Sequence, residues 1–257
     1  MTRILILEGN SVQIVQRGQS SAAGFIATLM AINPGLRLVV QNPYAAPVAA
    51  ADLQGIDAVV FTGSAVAWNT SDPRGQAQAD AMRRVFDAGL PVWGSCNGLQ
   101  LLATVLGGAV AASPKGREDG LAVDIRLSDA GRSHPMMAGR ADGYAVPCIH
   151  RDEISALPEG TLLLAGNEHS PVQAVAHERD GIDFWGTQYH PELAPGDIAA
   201  ALERMEGVAG ADRIADLRAC AGDAAAARRL GARVEDMQPE RRSLELRNWL
   251  AHLGARP

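Results

Sequence analysis

The chain has 257 residues, about 47% apolar and 20% charged, which suits one large globular domain or a domain with an appendage. A formal net charge of −6 argues against a protein built mainly to bind DNA or RNA. No apolar stretch approaches the roughly 20 residues of a membrane span, and the apolar start at residues 4–7 turns acidic at Glu8, unlike a secretory leader. Three widely spaced cysteines, Cys96, Cys148 and Cys220, do not make a disulfide framework. The expected location is therefore the cytoplasm, where thiols stay available for chemistry.

In chain order, residues 3–7 read as a buried strand and residues 21–31 as a helix stopped by Asn33-Pro34-Gly35. Residues 36–40 and 57–61 read as further strands. Residues 73–88 form a predicted helix with Asp72 as N-cap and Gly89 as stop. A short strand at 91–93 leads into a helix at 99–106. Apolar strands alternating with amphipathic helices predict a doubly wound, mostly parallel sheet, whose ligands sit at the carboxyl ends of the strands. The middle third reads as strands at 121–127, 143–149, 161–165, 172–176 and 182–187, some expected to be antiparallel. After Pro195-Gly196 strand signals stop, and helices are expected at 197–206, 211–219, 223–230 and 240–253. The expected division is a catalytic domain at 1–195 and a helical extension at 196–257 packed on it.

The chemistry concentrates at Gly94-Ser95-Cys96-Asn97-Gly98. A strand entering small residues and then a helix is the pattern of a nucleophile elbow, with Cys96 at a helix N-terminus that favours thiolate. A thiolate nucleophile needs a histidine. Of the six present, His190 follows a strand, and so reaches the same sheet edge as Cys96. Glu192 lies two residues on, on the same side of an extended segment stiffened by Pro191, and can orient the imidazole. The loop Thr62-Gly63-Ser64 also follows a strand. Its amides at Gly63 and Ser64, with that of Asn97, form a candidate oxyanion hole. His169 and His177 lack metal-ligand spacing, so neither metal nor cofactor is expected. Cys148 and Cys220 read as buried small hydrophobes, and Tyr44 and Trp68 as packing residues or pocket lining. The Arg117-Glu118-Asp119 run reads as a solvated turn, or, if it lies near the site, as a source of arginine for a substrate carboxylate.

These motifs, with Tyr189-His190-Pro191-Glu192 and the segments Ile149-His150-Arg151-Asp152-Glu153 and Leu157-Pro158-Glu159-Gly160, resemble class I glutamine amidotransferases of the Cys-His-Glu type. The likeness is greatest to the glutaminase portion of GMP synthase and its free-standing relatives, and spans residues 1–195. It implies a flavodoxin-like α/β fold and attack by Cys96 on a γ-glutamyl amide carbon. His190 then protonates the leaving amine, and water releases glutamate from the thioester. It further implies that Gln100 contacts the substrate and that His150 and Asp152 belong to a loop over its α-amino and α-carboxylate end. Two departures bear on the leaving group: Asn97 stands where a bulky residue is usual, and Ser64 where a second glycine is frequent. The sequence contains no pyrophosphatase loop and no Walker A motif. The expectation is a hydrolase of glutamine supplying ammonia to a separate synthetase subunit. The alternatives are a free-standing γ-glutamyl amide or peptide hydrolase and a catalytically silent homologue.

Overall fold

The computed structural model describes residues 1–205 and 207–255. The first half runs β1 (Arg3–Leu7), α1 (Val12–Gln16), α2 (Ala22–Ile32), β2 (Arg37–Gln41), β3 (Ala58–Phe61), α3 (Gln76–Asp87), β4 (Val92–Ser95), α4 (Asn97–Val105) and β5 (Ala109–Ala112). The middle contains β6 (Glu118–Leu127), α5 (Asp129–Ser133), β7 (Tyr144–His150), β8 (Asp152–Ala156), β9 (Leu162–Gly166), β10 (Ala174–Arg179) and β11 (Ile182–Thr187). The C-terminal part is helical: α6 (Pro195–Glu203), α7 (Ala211–Ala219), α8 (Ala224–Arg229), α9 (Pro239–Arg242) and α10 (Leu244–Ala255). Residue 206, which closes the first expected tail helix, lies outside the described residues, as do residues 256–257 at the end of the extension.

Nine strands form the main sheet in the order β2-β1-β3-β4-β11-β10-β9-β6-β7. The first five are mutually parallel, and β10, β9, β6 and β7 continue antiparallel. A separate two-stranded sheet pairs β5 with β8. Alternation along β1 explains why its sequence is apolar throughout. Ile4 and Ile6 join one core layer with Phe25 and Leu29 of α2 and Trp249 of α10. Leu5 and Leu7 join the opposite layer with Met82 of α3 and Leu99 and Leu102 of α4. A sheet covered on both faces needs apolar residues at both parities. A third cluster, around Ile198, Leu202, Leu217 and Cys220, packs α6–α8 on Leu121 and Ala145 of the antiparallel strands.

Several boundaries differ from expectation for local reasons. The segment at 73–88 begins as a 3-10 turn, Pro73–Gly75, before α3. Asp72 is its cap, accepting a hydrogen bond from the Arg74 amide at 2.9 Å. α4 starts at Asn97 rather than Leu99, so the helix follows Cys96 directly. β5 and β8, unassigned in the sequence, pair only with each other. The 117–119 run is no solvated turn: Glu118 is buried at the head of β6, because hydrogen-bonding partners from three neighbouring segments receive its carboxylate.

Candidate active site

The parallel register decides which residues meet. Thr187 of β11 lies beside Ser95 of β4, Gly94 beside Phe61 of β3, and Phe61 beside Leu7 of β1. The segments that leave these strands therefore converge at one sheet edge: Cys96 from β4, His190 and Glu192 from β11, Gly63 and Ser64 from β3, and Gly9-Asn10 from β1.

Cys96 has φ 50° and ψ −103°, a backbone conformation rare for a residue with a side chain. Its amide donates to the Thr187 carbonyl at 2.7 Å, which ties the turn to β11. The turn closes only because Gly94 and Gly98 lack side chains. A Cβ on Gly98 would lie 2.2 Å from the Phe61 carbonyl oxygen, and one on Gly94 2.7 Å from the Gly98 carbonyl carbon. The strained residue sits at the head of α4, where first-turn amides have no intrahelical acceptor and favour negative charge.

His190 and Glu192 are both buried, with Nδ1 of the imidazole 2.6 Å from Glu192 Oε1. Burial opposes a charge on His190, but the Glu192 carboxylate and the Cys96 thiol outweigh it and push its pKa up to about 10. Glu192 has supports of its own. Its Oε2 accepts from Ser95 Oγ at 3.1 Å, which in turn accepts from Trp93 Nε1 at 3.0 Å. The Thr28 hydroxyl of α2 holds its backbone carbonyl at 2.8 Å. Sequence reading missed Ser95, Trp93 and Thr28. The signal for the first two was their i, i+2 spacing, which gives them one face of β4.

Gly63 packs against the His190 ring: a Cβ there would lie 2.7 Å from Cε1 and 3.7 Å from Cys96 Cβ. Its loop is braced from β1. Asn10 Oδ1 accepts from the Ala65 amide at 2.6 Å, and Ser64 Oγ donates to the Gly9 carbonyl at 2.7 Å. The Ser64 side chain is thus spent on the loop. Asn97 is half-buried at the start of α4 and lines a small recess with Tyr44, Trp68 and Leu101, where the two aromatic rings meet edge-on at 6.3 Å.

Gln100 lies one turn along α4. Its amide nitrogen donates to the Asp152 carbonyl at 2.6 Å and to Gln188 Oε1 at 3.1 Å. Asp152 turns its carboxylate to Arg151 at 2.6 Å, and Arg151 reaches across to the Ala67 carbonyl at 3.0 Å. His150 is buried behind this segment. Its Nε2 bonds Glu118 and its Nδ1 the Asp152 carbonyl, so both ring nitrogens are occupied. The backbone nearest Cys96 here is the Ile149 carbonyl, 3.8 Å from the sulfur. Glu118, Cys148 and His150 also have metal-donor chemistry, but amide N–H groups of Asn167 and Gln173 point at the same carboxylate, as suits a hydrogen-bonded cluster. Among the described residues, no helix is long and apolar enough to cross a membrane.

The family model for class I glutamine amidotransferases matches residues 35–207. The chain belongs to that family. Among curated relatives of this amidotransferase, a γ-glutamyl-L-1-hydroxyisopropylamide hydrolase from a Pseudomonas species is 31% identical over 209 residues, covering 78% of this chain and 70% of the relative. The GMP synthase of Thermomicrobium roseum is 40% identical over 120 residues, 47% of this chain and 21% of that protein. The chain thus spans about a fifth of that synthase's length. A Thermotoga maritima glutamine amidotransferase superposes with a TM-score of 0.69 at 18% identity, covering 99% of both chains. A glutamine amidotransferase from Methylobacillus flagellatus gives 0.61 at 19% identity, over 99% of this chain and 92% of that one. At these identities the superpositions establish the fold, a mostly parallel sheet flanked by helices.

Proposed function

We propose that this amidotransferase hydrolyses the γ-glutamyl amide bond by covalent catalysis through Cys96. The observation that carries the reading is a strained cysteine at the head of α4 beside a buried His190–Glu192 pair, the two side chains of the pair meeting at 2.6 Å and both Cys96 and His190 packing against Gly63. In this reading the Cys96 thiolate adds to the γ-carbonyl carbon. The developing oxyanion is received by amides of the Gly63-Ser64 loop and of Asn97. Nε2 of His190 gives its proton to the leaving nitrogen, the C–N bond breaks, and a γ-glutamyl thioester remains. Water then loses a proton to His190 as it attacks the thioester, releasing glutamate and regenerating the thiolate. Glu192 holds the imidazole in the orientation both steps need. Gln100 has both amide hydrogens engaged, so its Oε1 is the atom left to accept from the substrate.

With glutamine the released amine is ammonia, which a separate synthetase would consume. A second reading, a substituted γ-glutamyl amide, is favoured by the Pseudomonas relative, which matches over most of both chains. The test is glutamate release from glutamine and from a panel of γ-glutamyl alkylamides and peptides, with Cys96→Ala as control. Turnover of at least one of them, reduced at least about a thousandfold in Cys96→Ala with an unchanged circular dichroism spectrum, is expected. Near-native activity in that variant would remove the nucleophile assignment. Preference for a substituted amide over glutamine would select the second reading.

A further inference from the structure

Glu118 is buried and lies directly across the β6–β7 ladder from His150. Its Oε2 accepts from His150 Nε2 at 2.9 Å and from Gln173 Nε2 at 2.7 Å. Its Oε1 accepts from Asn167 Nδ2 at 2.7 Å, and the Cys148 thiol approaches Oε2 at 3.7 Å. Burial alone would favour the neutral acid, but the bonds from His150, Asn167 and Gln173 prevail and hold its pKa below the ordinary carboxylate value. A buried charge is costly unless paired and hydrogen-bonded, and an apolar cluster of the same shape is often as stable. Stability alone therefore gives little reason for a carboxylate here.

The bonds continue toward the reacting sulfur. His150 Nδ1 meets the Asp152 carbonyl at 3.1 Å, and the same oxygen accepts from Gln100 at 2.6 Å. Gln100 also donates to the side chain of Gln188, whose backbone N–H donates to the backbone carbonyl of Gln173 at 2.8 Å. Gln173 returns to Glu118, which closes the ring. It passes through His150, whose neighbour Ile149 has its carbonyl 3.8 Å from the Cys96 sulfur.

We propose that Glu118 is a positioning residue of the substrate clamp. Through His150 it holds the backbone of residues 149–152, and through the ring it holds Gln100, in register with Cys96 for the amino-acid end of a γ-glutamyl substrate. The proposal rests on the γ-glutamyl reading above. Glu118 itself touches no reacting atom, so its loss should weaken capture of the substrate rather than the chemistry. In Glu118→Gln an amide nitrogen replaces an acceptor oxygen among converging donors, and the ring loses its lock.

The test uses a glutamine analogue with a diazoketone at the γ position, which alkylates Cys96 with loss of dinitrogen. Inactivation rate is measured against analogue concentration, beside the rate with iodoacetamide, which reports the thiol alone. Glu118→Gln should raise the half-saturating concentration about tenfold, while the limiting rate and the iodoacetamide rate stay within about twofold of wild type. Glu118→Asp should fall between. If Glu118→Gln does not fold, Gln173→Met, which breaks the ring elsewhere, should shift the same concentration in the same direction. An unshifted half-saturation, or a loss confined to the limiting rate and shared by iodoacetamide, would overturn the clamp alone. A wild-type protein that never saturates would overturn the γ-glutamyl reading and the clamp with it.

Discussion

At the scale of single residues, the candidate site is a balance between burial and charge. His190 is buried, yet Glu192 and Cys96 push its pKa up to about 10, against 6.5 for an ordinary imidazole. The folded state therefore holds a proton that the unfolded chain releases near pH 6.5. The stability this contributes is complete below pH 6.5 and is lost as pH rises toward 10. Melting temperatures measured between these limits should fall with pH in the wild type and fall less in Glu192→Gln, whose amide no longer favours the imidazolium. The same variant keeps the thiol and the elbow. It should retain roughly a hundredfold more activity than Cys96→Ala, read as glutamate release from the best substrate.

At the scale of elements, the elbow between β4 and α4 converts strand packing into a strained turn at Cys96. The helix sits so close to β3 that Gly98 nearly touches the Phe61 carbonyl. Gly98→Ala should destabilise the protein by about 1–3 kcal/mol, measured by urea denaturation, because backbone rather than a flexible side chain must yield. The helix would be pushed off β3 and carry the Asn97 amide with it. Activity should therefore drop by more than the unfolded fraction explains. A purely proportional drop would mean that the Asn97 amide has no part in the reaction.

At the scale of the whole molecule, the C-terminal helix is tied to the strand end that carries His190. Arg140 makes a bidentate pair with Glu245 of α10 at 2.7 and 2.9 Å, both side chains fully buried, and the Tyr189 hydroxyl donates to the same carboxylate at 2.8 Å. Farther along α10, His252 stacks on Trp185 at 4.5 Å and pairs with Asp183 at 2.9 Å. Glu245→Ala leaves the Arg140 charge buried and uncompensated. It should cost about 3–5 kcal/mol, measured by denaturant unfolding, with Glu245→Gln costing less. Tyr189 precedes His190, so the alanine variant should also lose activity under conditions where it remains folded.

Local pattern by itself determined much of this protein. Two-parity apolar strands separated by helices specify a sheet covered on both faces, and β11 and α7 lie at the residues expected from periodicity. That Cys96, His190 and Glu192 meet at one sheet edge was legible because an elbow and an i, i+2 pair are local features, and a parallel sheet sends such segments to one edge. What the sequence left undecided depends on contacts between distant segments. Glu118 reads as one charge in a charged run; the β6–β7 ladder sets His150 opposite it, and the segment between β9 and β10 brings Asn167 and Gln173 to the same carboxylate. Ser95 and Thr28 became supports of Glu192 only when α2 and β4 were placed beside it. The helical tail reads as an appendage, yet Leu246 and Trp249 complete the core layer over β1 and β4. Hydrophobic periodicity is set by each element's own geometry, whereas a buried polar group takes its partners from whichever segments the packed core brings within bonding distance.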